Sequence, residues 1–457
     1  MKFKGIEFEV KHLPELDPGF IPMPAFNRAY LKNAKQPIAI VVERNNGLQS
    51  VFDTFAYGTS EMLEADKFYV DRLVKYLLWA KGGARITICG NTILADYIRE
   101  TYSPEGARAF DSKFMSRVYE QNFAVRGIPY SERPAEVENP KPLGRHLDGC
   151  RIGFDAGGSD RKVSAVIDGE SVFSEEVVWF PKTNADPDYH FQGIVDAFKA
   201  AAAHMPRVDA IGISSAGIYV DNRTMVASLF LKVPQDLFDA KVKDIYIRAA
   251  KEIGDVPVEV ANDGDITALA GAMGLDDNGI LGIAMGTSEA AGYVDMEGNI
   301  TGWLNELAFA PIDGQEDGAV DEWSGDKGCG VKYFSQDAVI KLAPAAGIDL
   351  PQDSSPAEKL KIVQGLMAKD DARAVKIYSS IGCYLGHALA YYSDIYEIKH
   401  VLLLGRVMSG KGGDIVLATA KKVVADEYPT CRFEINLPDE KIRRVGQSVA
   451  AASLPKI

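Results

Sequence analysis

A pattern of strands and glycine turns that occurs twice is the feature that most limits how this chain can fold. The first copy begins at residue 150, CRIGFDAGGSDRKVSAVIDGESVFSEEVVW, and predicts three β-branched strands joined by turns. The second begins at residue 279, GILGIAMGTSEAAGYVDMEGNIT, and repeats strand, Gly/Ser turn, strand, Gly turn and strand. Each copy leads into helices and further strands. We therefore predict a duplicated α/β fold with two similar lobes facing each other across a cleft.

The chain of 457 residues is long enough for two or three domains. Residues 1–126 predict an additional N-terminal α/β domain, because they contain two strands around an Asn-Asn-Gly turn, an amphipathic helix and a buried strand. Residues 127–149 are rich in Pro, Gly and charge, which predicts a linker. We assign 150–274 to the first lobe, with a C-terminal helix at 439–457 packing back on it, and 275–438 to the second lobe.

Composition and charge limit the partners of the chain. The net charge of −14 and the pI near 5.1 argue against a nucleic-acid groove. No apolar run has the length of a membrane span, and the segment MKFKGIEFEVKHL lacks the apolar core of a signal peptide. We expect a cytoplasmic protein without a membrane or nucleic-acid partner. The cysteines lack CxxC spacing and the histidines form no HExxH cluster, so zinc is not expected.

The first glycine turn, FDAGGSDRK, follows an apolar strand and suits phosphate binding. Gly157 and Gly158 let the backbone approach a phosphate without an intervening Cβ, and we assign Ser159 and Lys162 to the same phosphate site. Asp155 ends the strand, where a carboxylate holds Mg²⁺ directly or through water. An ordinary β-hairpin with an Asp-Gly turn explains the same residues without a ligand.

Two later turns complete the series. In AMGTSEAAG, Gly286 allows close approach, while Thr287 and Ser288 offer donors to phosphate oxygens. In LLLGRVMSGKGG, a buried strand ends at Gly405, and Gly410 precedes a helix, which suits the flat face of an adenosine. Each turn alone is also typical of a plain hairpin or of a strand–helix connection.

Between the first two turns, EVANDGDITALAGAMG predicts a buried strand that delivers polar residues to the start of a helix. Asn and Asp are preferred N-caps, so capping explains one of Asn262, Asp263 and Asp265 but not all three. Phosphoryl transfer to an alcohol needs a carboxylate that accepts the hydroxyl proton, and this fits Asp263. Asn262 is suited to hold a neighbouring substrate hydroxyl.

The order of these motifs is more specific than any one of them. From about residue 150 onward, the chain resembles the ROK family of sugar kinases and sugar-responsive repressors, within the actin/hexokinase/Hsp70 superfamily. FDAGGSDRK looks like the first phosphate loop of the family, AIGISSAGIYVDN like GIGxPGxVD, and VANDGDITALAGAMG like NDANAAALGE. AMGTSEAAG resembles the family motif LGTGIGGG, and VLLLGRVMSG resembles the adenosine loop of the family. NELAFAPID resembles the motif GExGHxxV, and GDKGCGVKYFS resembles the motif GCLExxxS.

The resemblance implies roles for residues at the matching positions. It places Asp263 at the catalytic base and Glu306 at a sugar-hydroxyl contact, and it implies that Asn262, Ser215 and Gly217 bind the substrate. It also implies ATP and Mg²⁺ as ligands of the three glycine turns. About two-thirds of the chain is covered.

The sequence also departs from the family pattern. Phe309 replaces the His of GExGH and Cys329 is the one cysteine left of the zinc site, so we predict no structural zinc. Val331 stands where GCLE has its glutamate, and Glu289 enters the second phosphate loop at a position that is small or apolar in the family. A carboxylate there repels phosphates unless it turns away or meets the metal. These changes leave the identity of the sugar open.

We predict an ATP-dependent kinase that phosphorylates a sugar or sugar-like hydroxyl and forms a homo-oligomer, a dimer. One alternative is a non-catalytic sugar sensor or regulator, since the ROK family contains repressors with helix-turn-helix domains. Against it, residues 1–126 begin with strands and are not basic. Another alternative is a related kinase that uses a different phosphoryl donor, or a polyol or acid acceptor. The N-terminal segment has no assigned chemistry; an interaction domain, a dimerisation domain or a lid all fit.

Overall fold

A computed structural model describes residues 1–438 and 446–457 of the chain. The strands are β1 (Lys2–Phe3), β2 (Ile6–Glu7), β3 (Gln36–Glu43), β4 (Gln49–Ala56), β5 (Arg85–Cys89), β6 (Ala124–Ile128), β7 (Cys150–Ala156), β8 (Asp160–Ile167), β9 (Glu170–Val178), β10 (Ala210–Ser215), β11 (Ile218–Val220), β12 (Arg223–Val226), β13 (Val258–Asn262), β14 (Ile280–Met285), β15 (Glu289–Val294), β16 (His400–Leu404) and β17 (Glu434–Asn436). The helices are α1 (Met23–Leu31), α2 (Leu63–Lys81), α3 (Thr92–Thr101), α4 (Ala109–Tyr119), α5 (Pro187–Ala202), α6 (Gln235–Leu237), α7 (Ile245–Lys251), α8 (Asp263–Leu275), α9 (Gln336–Leu342), α10 (Pro356–Ala368), α11 (Ala372–Tyr392), α12 (Lys411–Glu427) and α13 (Gln447–Ala452).

The chain forms two compact units. The first unit comprises Met1–Asn139, Ile283–Ala291 and Trp303–Leu437. The second unit comprises Pro140–Gly282, Gly292–Gly302 and Pro438–Ile457.

The first unit contains the segment for which the sequence predicts a separate N-terminal domain. Trp79 of α2 stacks on Phe309 with ring centroids 4.1 Å apart. The buried Lys75 ammonium lies 3.0 Å from the Asp111 carboxylate and also pairs with Asp326. Because ring packing and a buried ion pair join residues 1–139 to residues 303–437, a separate N-terminal domain is not confirmed. The other predicted domain boundaries remain predictions.

The second unit is organised by a five-stranded sheet of order β13-β10-β7-β8-β9. Strands β7, β10 and β13 are parallel, whereas β7, β8 and β9 form the predicted antiparallel hairpins. The carboxyl ends of the three parallel strands therefore meet at one edge, at Ala156, Ser215 and Asn262. Ligands of open α/β sheets bind at such an edge.

Helix α13 packs on this sheet, against β7, β8 and β10. It crosses the sheet at Gly153 and Gly212, which face each other in the β7–β10 ladder. Without side chains there, the helix backbone rests directly on the strands. Of the C-terminal helix predicted at 439–457, residues 439–445 lie outside the described residues.

The second copy of the hairpin module is shorter than the sequence predicts. Strands β14 and β15 form, but the expected third strand is reduced to isolated bridges of Ile300 with Val294 and Lys141. The side chain of Asp295 accepts hydrogen bonds from the backbone N–H groups of Glu297 and Asn299, which closes a tight turn. Ile300 also exchanges backbone hydrogen bonds with Lys141, so that edge is already paired.

The described residues also form two four-stranded sheets, with the orders β4-β3-β5-β6 and β15-β14-β16-β17, and two small sheets, β1-β2 and β11-β12. In the first, β3 pairs antiparallel with β4 around the predicted Asn-Asn-Gly turn, and β5 pairs parallel with β6. Strand β6 enters the segment predicted as a linker, of which the part beyond Glu132 has little regular structure. Across residues 1–438 and 446–457, no helix is both long and apolar enough to cross a membrane.

Candidate active site

The residues proposed for chemistry fall into two sets, one in each compact unit. The set of the second unit consists of Asp155, Gly157, Gly158, Ser159, Lys162, Ser215, Gly217, Asn262 and Asp263. The set of the first unit consists of Gly286, Thr287, Ser288, Glu306, Gly405 and Gly410. Within each unit, strand ends and glycine turns position the side chains.

The three polar residues at the β13–α8 junction have different tasks. Asn262 is the N-cap of α8, because its Oδ1 accepts from the N–H of Gly264 at 2.7 Å. The buried Asp265 accepts from the N–H of Tyr293 at 3.1 Å and so ties α8 to the strand β15. Asp263 is half-buried, and its Oδ1 receives the Gly264 N–H at 3.1 Å. Capping and packing thus account for Asn262 and Asp265 but not for the carboxylate of Asp263.

The environment of Asp263 makes it a stronger base than an exposed aspartate. Burial raises the pKa of Asp263 above its usual value, while the N–H of Gly264 and the positive charge of Lys182 oppose this shift in pKa. A perturbed pKa at a half-buried carboxylate is typical of groups that transfer protons.

Asp155 ends β7 on the same edge of the sheet. Its Oδ1 accepts the hydroxyl of Ser214 at 2.9 Å, and its Oδ2 has no hydrogen-bond partner in the described part of the chain. Burial raises the pKa of Asp155 to about 6; the Ser214 hydrogen bond lowers this pKa, and the charge of Asp263 raises it. The two carboxylates that the sequence singles out therefore lie close enough for their charges to interact.

Ser214, and not the predicted Ser215, supports this site. The side chain of Ser215 is fully buried on the opposite face of β10 and shares a hydrogen bond of 2.8 Å with Tyr246. Its hydroxyl is committed to the core, so a substrate contact by Ser215 is not supported. Gly217 contributes through its backbone, because its carbonyl accepts from Asn262 Nδ2 at 2.7 Å.

The first phosphate loop is held tightly at Gly157. A Cβ at this position would lie 2.6 Å from the carbonyl oxygen of Asp160, and Trp179 Nε1 donates to the Gly157 carbonyl at 2.8 Å. Ser159 donates to the Asp160 carboxylate at 2.9 Å. Lys162 turns toward β9, with its ammonium 3.5 Å from Glu176. The loop is therefore preformed, while Lys162 is already paired with an acid.

The second phosphate loop belongs to the first unit and connects β14 to β15. The N–H of Gly286 donates to the carbonyl of Ser288 at 2.9 Å, which closes the turn. Thr287 accepts from Arg406 Nη2 at 2.6 Å. Sequence reasoning missed Arg406, although its position directly after Gly405 in the third glycine turn was the available signal.

The third turn lies against the second. A Cβ at Gly405 would lie 2.5 Å from the carbonyl carbon of Met285, so only glycine permits β16 to end this close to β14. Gly410 is the residue before α12, with no other group within 4 Å of the position of a Cβ. The structure thus brings Gly286, Thr287, Ser288 and Gly405 together within the first unit.

Glu289 turns away from the second phosphate loop. Its side chain is 3% exposed, and both carboxylate oxygens are buried without a hydrogen-bond partner among residues 1–438 and 446–457. Burial raises the pKa of Glu289 well above its usual range, and the charge of Glu306 adds to that increase in pKa. Leu307 and Gly330 lie beside it; a Cβ at Gly330 would collide with the carboxylate. Glu306 thus lies in the first unit near Glu289.

Among residues 1–438 and 446–457, no group of three or more His, Cys, Asp or Glu side chains is arranged to hold a metal ion. The absence of zinc remains a prediction. Mg²⁺ does not require such a group, because one or two carboxylates together with substrate phosphates are its usual ligands.

Comparison with known proteins shows similarity in structure alone. No protein-family profile and no curated protein sequence matches the chain. Among solved structures, the ROK hexokinase from Thermus thermophilus matches with a TM-score of 0.52 and 18% identity, over 66% of this chain and 97% of that one. A ROK family transcriptional regulator, a homolog of the E. coli MLC protein, matches with a TM-score of 0.50 and 19% identity, over 67% of this chain and 78% of that one.

A ROK family glucokinase from Streptomyces griseus, solved with glucose and AMPPNP, has a TM-score of 0.49 and 21% identity, over 67% of this chain and 99% of that one. The first two matches cover about two-thirds of the chain, the share that the sequence motifs span. The predicted α/β fold class is confirmed for about two-thirds of this chain, which has the fold of the ROK hexokinase and of the ROK regulator.

Proposed function

We propose that this protein transfers the γ-phosphoryl group of ATP to a hydroxyl group of a sugar or a related polyol. The main support is the division of tasks at the β13–α8 junction, where Asn262 caps the helix, Asp265 holds a backbone N–H, and Asp263 retains a half-buried carboxylate. Because Asn262 already caps α8, the carboxylate of Asp263 is not needed as the N-cap. The fold itself is one that hosts sugar kinases.

In the proposed reaction, Asp263 accepts the proton of the acceptor hydroxyl as its oxygen attacks the γ-phosphorus. The new O–P bond forms as the bond from the γ-phosphorus to the β–γ bridging oxygen breaks, and ADP leaves with that oxygen. The raised pKa of Asp263 favours this proton transfer, because a stronger base takes the proton more readily.

Asp155 fits the role of a Mg²⁺ ligand. One of its oxygens is free, and the neighbouring charge of Asp263 makes a cation favourable at this point. Bound Mg²⁺ neutralises charge on the phosphates. The glycine turns at Gly157 and Gly286 are proposed to approach phosphate oxygens through the backbone, and Gly405 and Gly410 the adenosine.

A test is a coupled ADP-release assay with a panel of sugars and polyols, on wild type, Asp263→Asn and the matched control Asp265→Asn. We expect Asp263→Asn to lower kcat by about 10²- to 10⁴-fold, the usual contribution of a general base. Asp265→Asn keeps the oxygen that accepts from Tyr293 and should retain most activity. Full activity of Asp263→Asn would remove the base assignment.

A sugar-responsive regulator is the second candidate, because one similar structure is a transcriptional regulator. Binding of a sugar, measured by calorimetry, without ADP release for any acceptor in the panel would favour this candidate over a kinase. Turnover with polyphosphate but not with ATP would instead point to another phosphoryl donor.

A further inference from the structure

Lys182 lies on a short turn that is fastened to the first phosphate loop. The turn Pro181–Thr183 follows β9. Just before it, the almost fully buried Trp179 bonds the loop twice, from its N–H to the Ser159 carbonyl at 3.1 Å and from Nε1 to the Gly157 carbonyl at 2.8 Å. On the far side, the buried Pro181 has its carbonyl 2.9 Å from His190 Nε2. The backbone that carries Lys182 is thus fixed relative to the loop.

The side chain of Lys182 extends over Gly158. A Cβ at Gly158 would lie 2.7 Å from the Cε and 2.8 Å from the Nζ of Lys182, so glycine makes room for the lysine. Lys182 is exposed, and no residue in 1–438 or 446–457 forms a hydrogen bond or ion pair with it. Lys162, the cation that the sequence favoured, lies 3.5 Å from Glu176 and 3.9 Å from Asp160. An ammonium that is near a phosphate loop and has no acid partner is available for an anion.

The same ammonium acts on Asp263. Its positive charge lowers the pKa of that carboxylate, against the effect of burial. Lys182 therefore lies within electrostatic range of both Gly158 in the phosphate loop and the proposed base.

We propose that Lys182 is a catalytic residue that binds the non-bridging oxygens of the transferring phosphoryl group. This inference rests on the proposed kinase function. Its task is to stabilise charge on the phosphoryl oxygens while the acceptor proton moves to Asp263. The first phosphate loop supplies backbone donors, and Lys182 supplies the full positive charge that the loop lacks.

The kinetic test compares Lys182→Met, which keeps much of the apolar stem, with Lys182→Arg and the control Lys199→Met. Lys199 is exposed on α5 in the same unit, and its side chain has no hydrogen-bond or ion-pair partner in the described ranges. We expect Lys182→Met to lower kcat by about 10²-fold with little change in the acceptor KM, the usual effect of losing one donor to a transition-state anion. Lys182→Arg should recover part of the rate, and Lys199→Met should match wild type.

The pH profile separates a chemical role from a structural one. Without the positive charge of Lys182, the pKa of Asp263 rises, so the acidic limb of the kcat profile should move to higher pH in Lys182→Met. The melting temperature should stay near that of wild type, because the side chain is exposed and unpaired. Unchanged kcat together with an unchanged acidic limb in Lys182→Met would overturn the proposal.

A binding test does not depend on turnover. Wild-type protein is treated with a small acylating reagent with and without Mg-AMPPNP, and modification is measured by mass spectrometry. We expect the nucleotide to protect Lys182 but not Lys199. Equal acylation of Lys182 while the nucleotide is bound would refute the inference and leave the kinase function intact. Absence of both nucleotide binding and turnover in wild type would refute both.

Discussion

Replacing Gly212 by alanine should dislodge the C-terminal helix from the sheet that carries the proposed base. A Cβ at Gly212 would lie 2.6 Å from the carbonyl carbon of Ala451 and closer still to its oxygen. Ordinary carbon–carbon contacts are about 3.5–4.0 Å, so α13 must move by about 1 Å. The helix is equally close to the sheet at the neighbouring Gly153, where a Cβ would be 2.7 Å from the carbonyl carbon of Ser448.

The cost of Gly212→Ala has a lower and an upper bound. Local overpacking costs about 1–3 kcal/mol in the free energy of unfolding. If the helix detaches instead, the chain loses the burial of three alanines, Ala450 to Ala452, and of Leu454. At about 0.8 kcal/mol for each methyl group and about 2 kcal/mol for the leucine, the upper bound is about 4–5 kcal/mol.

Urea unfolding gives the free energy, and hydrogen exchange of residues 446–457 reports whether the helix has moved. The matched control is Gly254→Ala in the same unit, where the nearest group to a Cβ is Val256 at 3.8 Å. We expect the control to stay within about 0.5 kcal/mol of wild type. A cost for Gly212→Ala no larger than that of the control, with unchanged exchange in α13, would refute the packing argument.

Three further substitutions test other parts of the structure. Gly365 lies in the exposed middle of α10, where a Cβ meets no described group within 4 Å. Because alanine favours the helix more than glycine does, Gly365→Ala should raise the free energy of unfolding by about 0.5–1 kcal/mol in urea. A lower free energy of unfolding would contradict the helix assignment. Without Mg²⁺, the native state binds a proton at Asp155 more tightly than the unfolded state does, because the pKa of Asp155 is raised to about 6. This stabilisation of wild type is present at low pH and is lost as pH rises from about 4 to 6. In urea unfolding, Asp155→Asn should therefore gain up to about 3 kcal/mol over wild type across that interval; a difference that does not change with pH would contradict the raised pKa. Glu289→Met should raise the free energy of unfolding at pH 8 by about 1–3 kcal/mol, because it removes two buried oxygens that lack partners among the described residues. A lower free energy of unfolding would indicate that the carboxylate has a partner.

The hairpins and the Asn262–Asp263 junction were predictable because their signals are local. A glycine turn between β-branched runs specifies a hairpin without information from the rest of the chain. The same locality explains one error. The third strand of the second module has a suitable sequence, but Lys141, which is far away along the chain, already pairs with Ile300.

The sequence of β10 does not show whether Ser214 or Ser215 faces Asp155. In a strand with one exposed face, alternating polar residues show which side chains point inward. All residues of β10 are buried, so the sequence of this strand has no polar alternation from which to set the phase. Only the pairing of β10 with β7 shows that Ser214 lies opposite Asp155.

The role of Lys182 was beyond the reach of local sequence patterns for a related reason. In the sequence it is one exposed lysine in a turn, 24 residues after Gly158, and nothing in its neighbours suggests an anion. Its position over the loop depends on Trp179, which a hydrophobicity pattern marks only as a core residue. The hydrogen bond from the indole nitrogen of Trp179 to the carbonyl of Gly157 joins the turn that carries Lys182 to the first phosphate loop. Trp179→Phe should therefore retain most of the packing and the backbone bond to Ser159 but loosen the turn, because the bond to Gly157 is lost. The value of kcat should then fall in the same direction as in Lys182→Met, although the ammonium is still present. A Trp179→Phe enzyme with the wild-type rate would show that the lysine reaches the phosphoryl group without the bond to Gly157.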